Sequence, residues 1–368
     1  MTDTATAPAP SIFRKATQPT IGVSGSYNQT LQMTTATQSY PVWLLPPNNI
    51  MRGIALEVTA VTTGNSATVA FNTPDAPLNV FSTVNFTTAG GTSIVGSFDS
   101  FTASVVQKYG GYARNPDVRN SAVYSVTAGV GSGAGGSFTE VFRIPVEIVG
   151  RSGFGSLSNT STEAPLQLNL VLNTSAAVYS TPPTALPNVA VKGSLLGYWA
   201  GPKGRATPRN FGTTQFWNQQ TYNSLNGAQT YTLQAPPGMG NQHRNWVAIN
   251  RLTSGARSST AFPSPLNLTF RGNTLYQLDN LLWVDEMSRV FGYNATTLDT
   301  ANGLDTGVFV IPFDQDFDLL AGGETGNGYL ETANGDPIGF NGTWNAASNL
   351  YWLVNFINLV GGQPVGTS

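Results

Sequence analysis

Three carboxylates alternate in the segment "DQDFD": Asp314, Asp316 and Asp318. On an extended strand every second side chain shares a face, so these three could converge on a hard cation such as Ca2+. The helix–loop–helix calcium pattern is not met: the sixth position of the run is Leu319 instead of glycine, and the twelfth is Thr325 instead of glutamate. A solvated strand end is the competing reading. The acids Glu140, Glu147, Asp285, Glu286, Asp305 and Glu331 are scattered, and their spacing singles out no pair of the kind that cleaves glycosidic bonds. His243 is the one histidine and lies in "GNQHRNW", so any Ser-His-Asp triad depends on that single residue, and no nucleophile-elbow sequence accompanies it. There is no cysteine, which removes disulfides, zinc-thiolate sites and thiol nucleophiles. The glycine-rich "GVGSGAGGS" (129–137) has no Lys-Ser/Thr and no helix pattern after it, so it reads as a loop and not as a phosphate cradle. Catalysis and a bound cofactor are therefore not expected, and no metal site beyond the aspartate trio suggests itself.

What must be positioned is then a surface. The chain has 368 residues, of which only 10% are charged, against about 25% in an ordinary soluble protein. Its net charge of −2 leaves no overall electrostatic footprint for nucleic acid. A coat this poor in charge suits a chain that buries much of its outside against copies of itself. A secreted β-rich binding protein with a polar, uncharged face fits the same composition. Seven tryptophans could supply a carbohydrate-stacking platform, but they are spread over both halves, and core or interface packing accounts for most of them. The first residues lack the apolar core of a signal peptide. No apolar run reaches the roughly 18 residues of a spanning helix. The expectation is a soluble chain whose only membrane contact is peripheral.

The elements are mostly strands. Period-two alternation or short apolar runs mark 54–63, 122–130, 141–149, 166–173 and 307–318, separated by clusters rich in the 40 Gly and 23 Pro. Two segments switch to helical spacing. Residues 98–112 place Phe98, Phe101, Val105 and Tyr109 three or four apart and stop at Gly110. Residues 278–293 place Leu278, Leu281, Leu282 and Phe291 similarly and stop at Gly292.

These helices belong to a longer pattern that is written twice. "TQSYPVWLLPPN" (37–48) matches "AQTYTLQAPPG" (228–238), and "RGIALEV" (52–58) matches "RNWVAINRL" (244–252). Pro-Leu-Asn recurs at 77–79 and 265–267, each time ahead of the helical segment. "FRIPVEI" (142–148) then matches "FVIPFDQ" (309–315), and "EAPLQLNLVLN" (163–173) matches "ASNLYWLVNFIN" (347–358). The order is the same and the offsets are 167 to 192 residues, far longer than a solenoid or propeller repeat. Two copies of one β domain in tandem follow: an arm over 1–25, a first copy over 26–190 and a second over 191–368, with the boundary between about 187 and 210. Lys192, Lys203, Arg205 and Arg209 make that boundary basic, as a solvated linker or as a loop that meets a partner.

Tandem β domains, each with a helix after a Pro-Leu-Asn strand, with no cysteine and few charges, resemble the double jelly-roll major capsid proteins of tailless icosahedral bacteriophages with an internal membrane, the tectivirus-like lineage. The resemblance spans about residues 26–368 and implies an all-β fold of two eight-stranded jelly rolls with short helices in the connections. It implies a non-enzymatic protein, made in the host cytoplasm and located in the virion. Three copies would form a trimer with a pseudo-hexagonal outline, and trimers would tile a shell around a lipid vesicle and the genome. Further partners would be minor capsid and vertex proteins, with no sequence-specific nucleic acid. The arm would lie beneath the trimer, where Ile12, Phe13, Arg14 and Lys15 would meet anionic headgroups or be clamped by protein alone. The alternative is a tandem β-sandwich carbohydrate-binding protein or a receptor-binding spike.

Overall fold

The computed structural model describes residues 20–21, 27–47, 49–62, 68–72, 75–110, 118–127, 135–148, 155–159, 161–198, 214–233, 242–292, 305–313, 329–332 and 338–357. The first half runs β1 (Tyr27–Gln32), β2 (Gln38–Ser39), β3 (Trp43–Leu44), β4 (Asn49–Val61), β5 (Phe81–Thr87), β6 (Ser93–Phe98), α1 (Ser100–Tyr109), β7 (Phe138–Pro145), β8 (Gln167–Leu172) and β9 (Asn188–Tyr198). Antiparallel pairing gives one sheet in the order β1-β9-β4-β7 and a second in the order β6-β5-β8, with β2 and β3 together on the far side of β8. Apart from the pairs β2/β3 and β5/β6, which stay in one sheet, the chain alternates between two facing sheets, which is the winding of a jelly roll. The alternation read from sequence is the alternation of burial: Leu168, Leu170 and Leu172 of β8 point inward between partly exposed neighbours.

The second half repeats this plan with fewer breaks. It contains β10 (Gln215–Leu233), β11 (Gln242–Leu252), β12 (Leu266–Phe270), β13 (Asn273–Leu278), α2 (Asn280–Phe291), β14 (Val308–Pro312) and β15 (Ile338–Ile357). The first part of β10 and the last part of β15 pair with each other, and β15 with β11, which pairs in turn with β14. The later part of β10 and the first part of β15 pair beside β12 and β13. One strand therefore serves both sheets, and β10 turns from one to the other at Ser224 and Gly227, whose φ values are 58° and 67° and where the register shifts. The duplicated sequences also share their pairing: Ile144 faces Ile54 and Pro145 faces Gly53, while Ile311 faces Trp246 and Pro312 faces Asn245.

The sheets are continuous across the two halves, because Val95 of β6 pairs in parallel with Trp217 of β10. Residues 191–198 fall beyond the expected division at 190/191, and as part of β9 they pair with β1 and β4 of the first half. Lys192 on that strand is half-exposed, 3.6 Å from Glu57. Lys203, Arg205 and Arg209 lie outside the described residues.

Several sequence expectations are corrected in detail. Of 122–130, only Ser125–Val126 is strand among the described residues. Pro77 does not open a strand: 75–79 form a turn and β5 begins at Phe81, whereas Pro265 directly precedes β12. Both prolines follow a cis peptide bond. Asn79 accordingly holds a turn, donating from Nδ2 to the Ala177 carbonyl at 2.9 Å, while Asn267 is a ladder residue opposite Asn341.

α1 and α2 each start after an aspartate, but only the first aspartate caps by its side chain. Asp99 accepts from the Thr102 N–H at 2.7 Å. Asp279 occupies the same place before α2, where the Asn280 N–H donates to Ser264 Oγ at 3.1 Å instead. Gly292 ends α2 in the left-handed region (φ 67°). Gly110 ends α1 for another reason: its φ is −78°, but a Cβ there would lie 2.8 Å from Pro145 Cγ and 2.6 Å from the Val106 carbonyl. Phe98 belongs to β6 and Leu278 to β13, so neither is helical. The buried side of α2 is Asn280, Trp283 and Met287, and Leu281 and Leu282 face outward.

Candidate assembly interface

The chemistry expected from isolated side chains is absorbed by packing. His243 is buried on β11; its Nδ1 accepts from Trp246 Nε1–H at 3.1 Å and its Nε2 meets the Thr332 hydroxyl at 3.2 Å. Burial lowers its pKa to about 4, so it stays neutral. Glu147 is paired with Arg52 at 2.7 Å, Asp305 with Lys108, and Glu286 with Arg289 on the same helix. Glu140 is the exception. It points inward from β7 beside a cavity of about 10 Å3 lined by Leu78, Ser100, Ser104 and Phe142, and its Oε1 has no partner. Burial raises its pKa to about 8. Asp314, Asp316, Asp318 and the arm residues Ile12, Phe13, Arg14 and Lys15 lie outside the described residues. Trp43, Trp217, Trp246, Trp283, Trp344 and Trp352 are all buried, so none of these six offers a sugar-stacking face.

What the residues do build is a seam. All of α1, from Ser100 to Tyr109, is buried between the two halves. At its start, the Phe101 ring lies under two guanidinium groups of the second half, 5.1 Å from Arg251 and 4.5 Å from Arg257. Both arginines bind Asp75 of the first half, Arg257 through Nε at 2.8 Å. One carboxylate thus bridges two cations that would otherwise repel, and Arg257 also donates to the Thr306 carbonyl. Burial is the first influence on both guanidiniums and disfavours their charge. At Arg251 the two aspartates more than offset it and the pKa is raised, whereas at Arg257 it is lowered.

At its other end, α1 has carbonyls with no partner inside the helix. The second half supplies donors: Arg244 Nη1 at 3.3 Å and Asn245 Nδ2 at 3.1 Å reach the Tyr109 carbonyl, and Gln215 Nε2 reaches Gly110 at 3.4 Å and Glu147 at 2.8 Å. Lys108 Nζ donates to Asp305 at 2.6 Å and to the Gly292 carbonyl at the end of α2 at 2.9 Å, while Tyr109 donates its hydroxyl to the other Asp305 oxygen at 3.0 Å. A cation therefore sits where two helix C-termini meet, as the partial negative charge there favours. Tyr109 and Phe291 close the seam edge to face, with centroids 5.3 Å apart. Sequence reasoning found α1 by its periodicity but not this role. The arginines opening "RGIALEV" and "RNWVAINRL" were the available signal.

No protein-family model matches the chain, and no curated protein matches it in sequence. Solved structures do match in fold. The MCP of STIV, the Sulfolobus turreted icosahedral virus, superposes with a TM-score of 0.60 at 13% identity, over 90% of this chain and 96% of that one. The major capsid protein P2 of bacteriophage PM2 gives 0.53 at 8% identity, over 92% and 100%. The PBCV-1 virus capsid gives 0.53 at 10% identity, over 90% and 93%. The fold of this chain is the double jelly roll of these proteins.

Proposed function

We propose that this chain is a major capsid protein that self-assembles into trimers, each presenting six jelly rolls in a pseudo-hexagonal outline, which tile an icosahedral shell around an internal membrane and genome. The observation that carries this reading is the fold match along nearly the whole length of both partners, 90% of this chain and 96% of the STIV protein. The seam supports it physically. Two rolls locked by buried ion pairs form one rigid building block, so a head-to-tail ring of six rolls closes with three chains. The low content of charge suits surfaces that meet other copies. In this role the chain acts by assembly, without catalysis, is synthesised in the host cytoplasm and resides in the virion. Minor capsid and vertex proteins complete the shell, and Ile12–Lys15 reach towards anionic headgroups beneath it.

The test is the oligomeric state of purified protein by light scattering, followed by electron microscopy of concentrated samples. A stable species of three chain masses that packs into hexagonal arrays is the expected result. Protein that stays monomeric at high concentration would overturn the reading.

A further inference from the structure

Both halves carry the same strand–helix unit, and its two copies have opposite surroundings. Counted from the aspartates Asp99 and Asp279, Val95 corresponds to Leu275, Phe101 to Leu281 and Thr102 to Leu282. In the first half two of these positions bind the second half, Val95 through the parallel bridge to Trp217 and Phe101 under Arg251 and Arg257, and Thr102 lies beside them. All three are buried. In the second half Leu275 is 40% exposed, Leu281 72% and Leu282 51%, and they are the large, exposed apolar side chains among the residues of that half whose burial is described. The apolar residues left uncovered are thus the counterparts of residues buried where the halves join.

We infer that this face of β13 and α2 docks on the first half of a second copy of the chain, repeating between chains the contact that α1 makes within one. The surface equivalent to β10 and β11 is β1 with β4, matched through Arg52 and Arg244. Among the described residues β1 pairs on one side only, with β9. At the matching end of β4, where the second half has Arg251 to Thr253, the first half has Thr59 to Val61, and Val61 is 49% exposed. The chemistry changes in step on both sides: an aromatic ring under arginines within the chain becomes leucine against valine between chains. Burial of such aliphatic surface favours association. The contact is head to tail, so it propagates around a ring instead of ending in a twofold dimer.

This inference rests on the assembly reading, and two experiments separate their failures. Leu281→Asp with Leu282→Asp alters only exposed side chains, so the double variant should keep the parent's folded circular-dichroism spectrum yet lose the trimer in light scattering, with any fall in melting temperature no more than loss of association explains. A trimeric parent with an equally stable trimeric variant overturns the docking assignment alone; a monomeric parent overturns both. In the second experiment Leu281→Cys, unique in a chain without native cysteine, carries a photoreactive maleimide in a mixture of isotopically light and heavy chains. Light–heavy crosslinks to residues 27–61 are expected. Crosslinks confined to one chain, or falling in the second half, overturn the assignment.

Discussion

Lys108 and Asp305, 197 residues apart in sequence, form a 2.6 Å ion pair with both side chains buried between the two jelly rolls. Removing one member strands a charge in a site that water does not reach, at a cost of about 3–5 kcal/mol. Asp305→Ala should lower unfolding stability by that amount in urea denaturation. Replacing both members with apolar residues, Lys108→Met with Asp305→Leu, should recover most of the loss.

Asp75 should behave differently from either arginine it holds. Asp75→Ala leaves Arg251 and Arg257 facing each other beside Phe101 with no carboxylate between them, whereas Arg251→Ala leaves the Asp75–Arg257 pair intact. The aspartate variant is expected to be the less stable by roughly 1–3 kcal/mol, and thermal melts in parallel would reveal the order. Equal destabilisation would mean that repulsion between the guanidiniums is relieved by movement.

Glu140 predicts loss of stability with rising pH. Its folded pKa is about 8, above its ordinary value of 4.5, so between these values the folded chain holds a proton that the unfolded chain has released. Its contribution is complete below about pH 4.5, falls across the window and is gone above 8. Glu140→Gln should flatten the dependence of melting temperature on pH over that interval and stabilise the protein at pH 8.

His243 predicts the opposite slope at acid pH. Its folded pKa is about 4 against an ordinary 6.5, so the unfolded chain takes up the proton first, and stability falls as pH drops through that range. The cause is burial: the ring lies inside the second half, away from water, and that disfavours its charged form. His243→Gln should remove this acid limb and leave the Glu140 limb in place.

Gly193 permits Trp43 to lie flat across β9, stacked on Tyr27 at 5.1 Å. A Cβ at 193 would stand 2.3 Å from Trp43 Cζ3. Gly193→Ala should cost roughly 1–3 kcal/mol, as overpacking does, and Trp43→Leu in the same chain should relieve part of it. Denaturant midpoints of the single and double variants decide the matter.

The duplication was legible because it is carried by local sequence: the arginine near the start of β4 and of β11, and the Ile-Pro that ends β7 and β14, stand in the same register in both copies. The glycine that stops each helix was legible too, although only Gly292 acts through a left-handed backbone. Local pattern failed where the deciding neighbour lies far along the chain. Apolar residues occupy both sides of α2, and periodicity cannot tell the core side, Trp283 and Met287, from the outward leucines. The identical tripeptide Pro-Leu-Asn takes a turn in one copy and a strand in the other. The bridges from Asp75 and Lys108 span 176 to 197 residues and left no trace in spacing.

The unbroken strands of the second half have a mechanical consequence. β15 has 20 residues, about 65 Å of nearly extended backbone, and belongs to both sheets. It works as a tie beam: one sheet cannot slide past the other without stretching covalent bonds. The first half reaches the same winding with its path interrupted after Gln32 and after Leu172, which gives it joints where the second half has none. Under outward load the two rolls of one chain should therefore deform unequally, with the first acting as the compliant element and the second as the strut.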